Sequence, residues 1–386
     1  MTVPQFNSSS LHELSALASD PCVSILMPTE RRAPSQKEAH ARLKNLTRAA
    51  RQGLESRGYG MADAAAFVAP IAALDREGDL WRDRNAGLAV FVSTGCLRVF
   101  VTPMTLPELA VVASHFYLKP LIRLLTAYPK IFVLALSQSQ VRLFEHDVLL
   151  DTANLVELPH IHTGIQEVTP HEGLDTQRQS KSFVRSIPGG TTRGHSHGAG
   201  DIQHKDKLLR YVQLINKDVV GVLGDSCAPL VLAGVDYELA LYRQVNTYPH
   251  VSTQVISGNP DQKSAQALAK ASISALEAEA EEERDAAVAE YKSLRGTPRV
   301  TRTFKDIVRF AHTGRVQVLF AAQDVEKWGH FNPKIGHVRP RSQPQPGYDG
   351  LISLTAENTL LHRGRVFLMP RSTIPNHASM AAVLRF

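Results

Sequence analysis

Pro229-Leu-Val-Leu-Ala-Gly234 is the run that most limits what this chain can become. A strand that is apolar at every position must be covered on both faces, and a short run closed by glycine has the pattern of a buried parallel strand. Upstream, Leu208, Val212, Ile215 and Val219 stand at i, i+4, i+7 and i+11, one face of a helix. Downstream, Asp236 to Gln244 reads as a second helix. Earlier still, Ile131-Phe-Val-Leu-Ala-Leu136 and Gln140-Val-Arg-Leu-Phe-Glu145 flank a Ser-Gln-Ser turn, and Val148 to Leu158 follows. Three successive short strands predict a meander. A meander followed by helix, strand and helix predicts a mixed α/β domain.

Between meander and helix lies a polar stretch, residues 159–204. Its core is Ile187-Pro-Gly-Gly-Thr-Thr-Arg-Gly-His-Ser-His-Gly-Ala-Gly-Asp-Ile-Gln-His204, with five glycines between Gly189 and Gly200. Such a segment buries too little apolar surface to offset its ordering entropy, so it is expected to be a mobile internal arm in the free protein. From Gln177 to Gly200 it carries Arg178, Lys181, Arg185 and Arg193 and no acidic residue. Glycines allow close backbone approach, and Arg and Lys neutralise phosphates, so the arm has the make-up of an RNA-contacting segment. A plain surface insertion has the same composition. His195-Ser-His197 with His204, or His160-Ile-His162 with His171, supplies three imidazoles for a metal. A flexible His-x-His with no matching carboxylate is not a preorganised site, so no native metal and no cofactor are expected. A metal-dependent hydrolase built on these histidines is the third-ranked function.

The flanks divide into two further segments, giving expected domains at 1–129, 130–258 (carrying the arm at 178–204) and 259–386. In the first, Cys22-Val-Ser-Ile-Leu-Met27 predicts a strand stopped by Pro28. Ser35-Gln-Lys-Glu38 predicts a capping box, followed by a buried stripe at Ala39, Leu43, Leu46, Ala50 and Leu54. That helix is basic, with Arg31, Arg32, Lys37, Arg42, Lys44, Arg48, Arg51 and Arg57. This is the ordinary solvated face of an amphipathic helix, or a phosphate track. Gly87–Val92 and Leu97–Val101 predict a hairpin about Thr94-Gly95. In the last segment, Asn259-Pro260 predicts a helix start for the pattern Asp261–Leu294, whose run of Glu and Asp from 277 to 285 reads as a solvated face. A short helix at Phe304–Ala311, strands at Val316–Ala321, Gly364–Leu368 and Ala381–Phe386, and a loop at 338–349 complete it.

Hydrophobic content of 43% with 21% charged residues is that of a globular protein, and the net charge of +6 permits an RNA or acidic partner. Cys22, Cys96 and Cys227 form no disulfide or zinc framework. With no apolar run near ~18 residues and no signal pattern at Met1–Ser10, a soluble cytoplasmic protein without a membrane partner is expected. No dinucleotide fingerprint, phosphate-binding Walker loop or Gly-x-Ser-x-Gly elbow is present. Asp225, Asp236 and Glu238 read as caps or surface groups, and Trp81 and Trp328 as packing residues.

The order of these elements resembles the archaeal and eukaryotic class I peptide-chain release factors and their relative Pelota. Ile131–Glu145, the loop at Gly189-Gly190, the helix around Leu208–Val219 and Leu230-Val-Leu-Ala-Gly234 match their middle domain in order. Phe304–Ala311, Gly314-Arg-Val, the strand to Ala321 and Asp324 match their C-terminal domain. The chain is most similar to the bacterial archaeo-eukaryotic release factor families. There Ile25-Leu-Met-Pro-Thr29, Leu43-Lys-Asn, Gly87-Leu-Ala-Val-Phe91, Phe116-Tyr-Leu-Lys-Pro-Leu121 and Ala382-Val-Leu-Arg-Phe386 have counterparts. The resemblance implies three domains, the middle one ribonuclease-H-like and the last an α/β sandwich akin to kink-turn-binding ribosomal proteins. It implies a ribosome- or tRNA-directed factor, with ribosome rescue by peptidyl-tRNA hydrolysis as the activity. Gly189, Gly190 and Thr191 would then enter the peptidyl-transferase centre, with His195 or His197 assisting proton transfer. Arg178, Lys181, Arg185 and Arg193 would lie on rRNA or the tRNA acceptor stem. The resemblance also leaves room for a GTPase partner. Two departures matter. Thr191 stands where the release factors have the Gln of Gly-Gly-Gln, and no Asn-Ile-Lys-Ser element for reading stop codons is present. A non-catalytic, Pelota-like ribosome-binding module is therefore the alternative.

Overall fold

The computed structural model describes residues 6–29, 36–74, 86–125, 130–137, 139–148, 152–159, 198–341 and 343–386. The chain is a mixed α/β protein with several sheets. It divides into a split unit, Met1–Ala127 with Glu283–Phe386, and a middle unit, Tyr128–Glu282.

The first part of the split unit holds α1 (Ser8–Leu17), β1 (Cys22–Pro28), α2 (Gln36–Ser56), α3 (Met61–Ala73), β2 (Gly87–Ser93), β3 (Cys96–Thr102), β4 (Leu109–Ala113) and the short α4 (Lys119–Ile122). The strands form one sheet in the order β3-β2-β1-β4. The expected hairpin is present: Ser93 pairs with Cys96 across Thr94-Gly95, and Gly95 takes φ 72°. β1 is apolar throughout because both of its faces are covered. Val23, Ile25 and Met27 pack with the stripe Ala39, Leu43, Leu46, Ala50 and Leu54 of α2. Cys22 and Leu26 pack on the opposite side with Leu11, Leu14, Phe91 and Phe100. Ser35 of the expected capping box lies outside the described residues.

The middle unit contains β5 (Lys130–Leu136), β6 (Val141–Asp147), β7 (Thr152–Val156), α5 (Gly198–Leu223), β8 (Leu230–Gly234), α6 (Asp236–Val245), β9 (Val251–Ser257) and α7 (Ala265–Ser293), the last continuing into the split unit. Its sheet runs β7-β6-β5-β8-β9. β5, β6 and β7 are the antiparallel meander; β8 pairs parallel to β5, and β9 parallel to β8. All five residues of β8 are buried, as its apolar run requires. Leu208, Val212, Ile215 and Val219 cover one face of the sheet against Leu134, Leu230 and Leu232. Leu268 of α7 packs on the other, with Val133, Val231 and Ile256. Gly234 is required by close approach: a Cβ there would stand 2.9 Å from the Leu136 carbonyl oxygen and 3.0 Å from a Leu239 methyl.

Two expectations are corrected here. The helix after Asn259-Pro260 starts at Ala265, because Asn259 spends its side chain on a tight turn (Asp261 N–H to Asn259 Oδ1, 3.0 Å) and Ser264 supplies the cap (Ala267 N–H to Ser264 Oγ, 3.2 Å). The acidic face is also only partly solvated. Glu279 accepts from the Ser252 hydroxyl at 2.5 Å and from the Thr253 N–H at 3.0 Å, and Glu282 accepts from the Gln254 amide at 2.8 Å. These carboxylates occupy donors of β9, which lies at the edge of its sheet and was not foreseen.

The last part of the split unit adds β10 (Val300–Thr301), α8 (Phe304–His312), β11 (Val316–Ala322), β12 (Trp328–Asn332), β13 (His337–Arg341), β14 (Asp349–Gly350), α9 (Leu351–Leu361), β15 (Arg365–Met369) and β16 (Met380–Leu384). One sheet has the order β10-β16-β11-β15, with only β11 and β15 parallel; a smaller one has the order β13-β12-β14. The expected loop at 338–349 begins as a strand. Pro340 is tolerated because β13 is an edge.

Candidate functional site

Every residue nominated from sequence as catalytic or RNA-binding lies outside the described residues: Gly189, Gly190, Thr191, His195 and His197, and Arg178, Lys181, Arg185 and Arg193. The structure does place the two anchors of the segment that carries them. β7 points the same way as β5, β8 and β9, so all four strands end at one carboxyl edge of the sheet. α5 leads back to the amino end of β8, so its own start lies at that same carboxyl edge. Segment 160–197 therefore leaves and re-enters the unit on one side. The 26 residues of α5 make a rod of about 39 Å. β5, with seven residues, spans about 23 Å. Because Leu208 meets Leu136 at the end of β5, the turns before Leu208 project beyond the sheet and carry the re-entry point outward.

Open α/β sheets place ligands outside the carboxyl ends of their strands, so the chemistry of this edge matters. A shallow, open depression on this side is lined by Leu136, Ser137, Leu208, Tyr211, Val212, Ile215 and Glu238. Burial, with the Glu238 carboxylate second, pushes the Tyr211 phenol up to about 12, so it stays protonated and is no general base. Val235 and Tyr237 at the end of β8 are 41% and 50% exposed, an apolar and aromatic step on the same rim.

The edge is braced. The Ser137 hydroxyl accepts from the N–H groups of Ser139 (3.2 Å) and Gln140 (3.1 Å), closing the β5–β6 turn. Ser139 Oγ then donates to Asp261 at 2.5 Å, and Arg142 donates to the carbonyls of Pro260 (2.5 Å) and Lys263 (3.3 Å). Desolvation acts to raise the Asp261 pKa, but hydrogen bonds from Ser137, Ser139, Gln140 and Asn259 outweigh it and hold the carboxyl below its ordinary value. A depressed carboxyl stabilises the fold above its unfolded value, and that contribution disappears as pH falls through the folded one. Asp261→Asn is expected to cost about 1 kcal/mol at neutral pH, read as faster hydrogen exchange of the turn amides, with the difference from wild type vanishing in acid. Unchanged exchange at pH 7 would remove Asp261 from the brace.

A second polar cluster, not foreseen from sequence, lies inside the split unit. Asp349, 2% exposed, accepts from the N–H groups of Ser114 (3.0 Å) and His115 (2.8 Å), and the His115 ring stands 3.3 Å from it. Ser353 accepts from the N–H groups of Leu118 and Lys119, both at 3.0 Å. Glu326 accepts from the N–H groups of Lys327 (3.0 Å) and Ile352 (2.8 Å), with Lys119 Nζ 3.5 Å away; that ammonium also donates to the Val325 carbonyl. Burial lowers the pKa of Lys119 and raises that of Glu326, each toward its neutral form. Glu357 is pushed up to about 7, chiefly by burial. Burial works against the His115 imidazolium, yet Asp349 raises its pKa overall. Perturbed groups of this kind often mark active sites. Here Asp349 Oδ1 and Ser353 Oγ are engaged on backbone N–H groups of residues 114–119, and Glu326 faces Lys119, so the cluster does the work of a staple between the two parts of the unit. The Tyr117 N–H on Ser24 Oγ at 2.9 Å extends it. The sequence sign was Lys119 inside the apolar run Phe116–Leu121.

Among the described residues no three His, Cys, Asp or Glu side chains are grouped to hold a metal ion. His160, His162, His171, His195 and His197, and the side chain of His204, lie outside that description. No described helix is long and apolar enough to cross a membrane.

Residues 131–315 match the model of bacterial archaeo-eukaryotic release factor family 3. No curated protein matches the sequence. Among solved structures, the archaeal translation termination factor aRF1 aligns at 12% identity over 99% of both chains, with a TM-score of 0.23. Archaeal Pelota, in its ribosome-bound form with ABCE1, aligns at 11% identity over 75% of this chain and 72% of its own, with a TM-score of 0.36. Dom34 of S. cerevisiae, described as a translation termination-like factor involved in RNA quality control, gives 8% identity, 75% and 73% coverage, and a TM-score of 0.37.

Proposed function

We propose, from the match of residues 131–315 to bacterial archaeo-eukaryotic release factor family 3, that the chain is a member of that family and a translation factor acting on the ribosome or its tRNA in the cytoplasm. The observation that carries the reading is that the family match spans the whole segment 160–197 together with both of its anchors. Supporting it, the segment departs from and returns to one edge of a rigid sheet, on a helix that projects past that edge.

In this reading the strand order β7-β6-β5-β8-β9 is the ribonuclease-H-like arrangement of a release-factor middle domain, and 1–129 and 259–386 are its flanking domains. Gly189-Gly190-Thr191 is the tip that enters the peptidyl-transferase centre. Arg178, Lys181, Arg185 and Arg193 neutralise phosphates along its path. Where hydrolysis occurs, water attacks the ester carbonyl of peptidyl-tRNA and the Thr191 backbone N–H stabilises the oxyanion. Stop codons are not read, since the element for it is absent.

Ribosome co-sedimentation across a salt series tests the reading. Deleting residues 178–204 is expected to lower binding at least tenfold and to flatten the salt dependence by about four phosphate contacts. Unchanged binding and slope would overturn it. One observation favours a second version, a binding module without hydrolysis: Thr191 cannot reproduce the reach of the Gln that the release factors carry. Wild-type chain that binds stalled ribosomes without cleaving peptidyl-tRNA, together with Thr191→Gln that gains cleavage, would establish that version.

A further inference from the structure

The positive charge of this chain is concentrated in one part of it. Residues 295–386 contain fourteen Lys and Arg against five Asp and Glu, and the whole chain has a net charge of only +6, so the remainder is net negative. Of those five acids, Asp349 and Glu357 are buried and Glu326 faces Lys119, which leaves Asp306 and Asp324.

The sheet β10-β16-β11-β15 gathers this charge at one end. β11 and β15 start there and β16 finishes there, as the pairings Val316 with Leu384 and Val318 with Arg365 require. Arg299, Arg315, Arg363, Arg365 and Arg385 all flank that end. Short bonds hold them in place: Leu384 N–H to Arg299 O at 2.7 Å, Arg385 N–H to Arg315 O at 2.9 Å, and Arg385 Nη2 to the His362 carbonyl at 2.5 Å. Arg315 is fixed between two rings, 4.4 Å from the centre of Phe310 and 5.1 Å from that of Phe386, while it donates to the Phe386 carbonyl at 2.9 Å. Phe386 is nonetheless 72% exposed. Among acidic side chains, Glu290 stands 3.6 Å from Arg365.

Helix dipoles explain part of this: α8 and α9 both end here, and cations are favoured at helix C-termini. They do not explain the arginines on strand ends. Nor do they explain Arg363, which holds φ 59° immediately after α9, a left-handed position usually given to glycine or asparagine. An arginine kept there is exposed at the edge in a backbone conformation that L side chains rarely adopt.

We propose that this edge binds the phosphate backbone of RNA, with the exposed face of Phe386 stacking on an unpaired base. A row of arginines held in place at one sheet edge, an exposed ring among them and few acidic side chains is a combination suited to single-stranded or looped RNA. An acidic protein surface would use the charge and leave Phe386 without a role. The contact goes beyond the function proposed above, because it belongs to the split unit and uses none of residues 178–204.

The test is fluorescence anisotropy of the full chain with a labelled RNA hairpin carrying an unpaired loop, over a salt series. Arg363→Glu with Arg385→Glu is expected to weaken binding at least tenfold near 0.1 M salt and to reduce the log–log salt slope by about two. Phe386→Ala should weaken the looped hairpin several-fold and leave a fully paired duplex unchanged. The same losses are expected in a chain lacking residues 178–204, which separates this contact from the arm. Should the double reversal not fold, Arg363→Gln, read by its salt slope falling by about one, serves in its place. The proposal is overturned if the slope is unchanged. It is overturned equally if Lys44→Glu with Arg48→Glu on α2 weakens binding as much, or if poly-glutamate competes as well as RNA.

Discussion

Replacing Lys119 with methionine is expected to cost the split unit about 3–5 kcal/mol, because it leaves the Glu326 carboxylate buried without its cation. The geometry sets the sign and the asymmetry. Glu326 stays pinned to the N–H groups of Lys327 and Ile352 and cannot turn away to water. The intact pair, by contrast, contributes little net stability, since burial moves both groups toward their neutral forms. Lys119→Met combined with Glu326→Gln should therefore recover most of the loss, because the amide oxygen keeps both backbone donors satisfied. Trp328 is buried in the split unit and residues 128–282 contain no tryptophan, so denaturant unfolding followed by tryptophan fluorescence reports the split unit selectively. A single-variant loss below about 1 kcal/mol would show that Lys119 is not a buried partner.

Stability of the split unit is also expected to fall between about pH 5 and pH 8, opposite to the usual carboxylate behaviour. Glu357 is raised from 4.5 to about 7 by burial. A carboxyl with a folded-state value above its unfolded one favours the fold fully below about 4.5 and loses that contribution as pH rises through about 7. A shift of this size corresponds to something on the order of 3 kcal/mol. His115, also raised, acts in the same direction. Glu357→Gln should make the unit more stable at pH 8 by up to about 3 kcal/mol and flatten its pH profile, the residual slope belonging to His115. A variant whose profile still parallels that of wild type across this range would assign the slope elsewhere.

What could be read from sequence follows from physical pattern. β8 and the α5 stripe were legible because a strand buried on both faces and a helix with one buried face each leave a distinct periodicity. The meander was legible because its three runs are bounded by turn residues. α9 was not, because it is buried on nearly every side and its periodicity is lost. Its polar residues are hidden by local bonds: Thr355 donates to Leu351 O at 2.6 Å and Thr359 to Thr355 O at 2.8 Å. β4 was missed because five residues carry little pattern, and β9 because Ser252, Thr253 and Gln254 interrupt its apolar run and are met by Glu279 and Glu282. The start of α7 was misplaced because Asn-Pro serves a turn as well as a helix cap. Of the candidate site, the composition of the arm was readable and its anchoring was not, since the shared carboxyl edge depends on strand directions that only the pairing reveals. The staple at Lys119 was invisible for a related reason: its halves are more than 200 residues apart.

That separation has a bearing on how the chain is made. The middle unit has its full sequence once residue 282 has emerged from a translating ribosome. The split unit does not. Its first sheet is in place early, but Lys119 waits for Val325 and Glu326, and the N–H groups of Ser114 and His115 wait for Asp349. During synthesis the first hundred residues must be kept from unproductive contacts while a complete unit is produced behind them. A chain released anywhere between residues 282 and 326 carries the full sequence of the middle unit and a first part without its partners. Chain order thus makes the middle unit independent of how translation ends and the split unit wholly dependent on it.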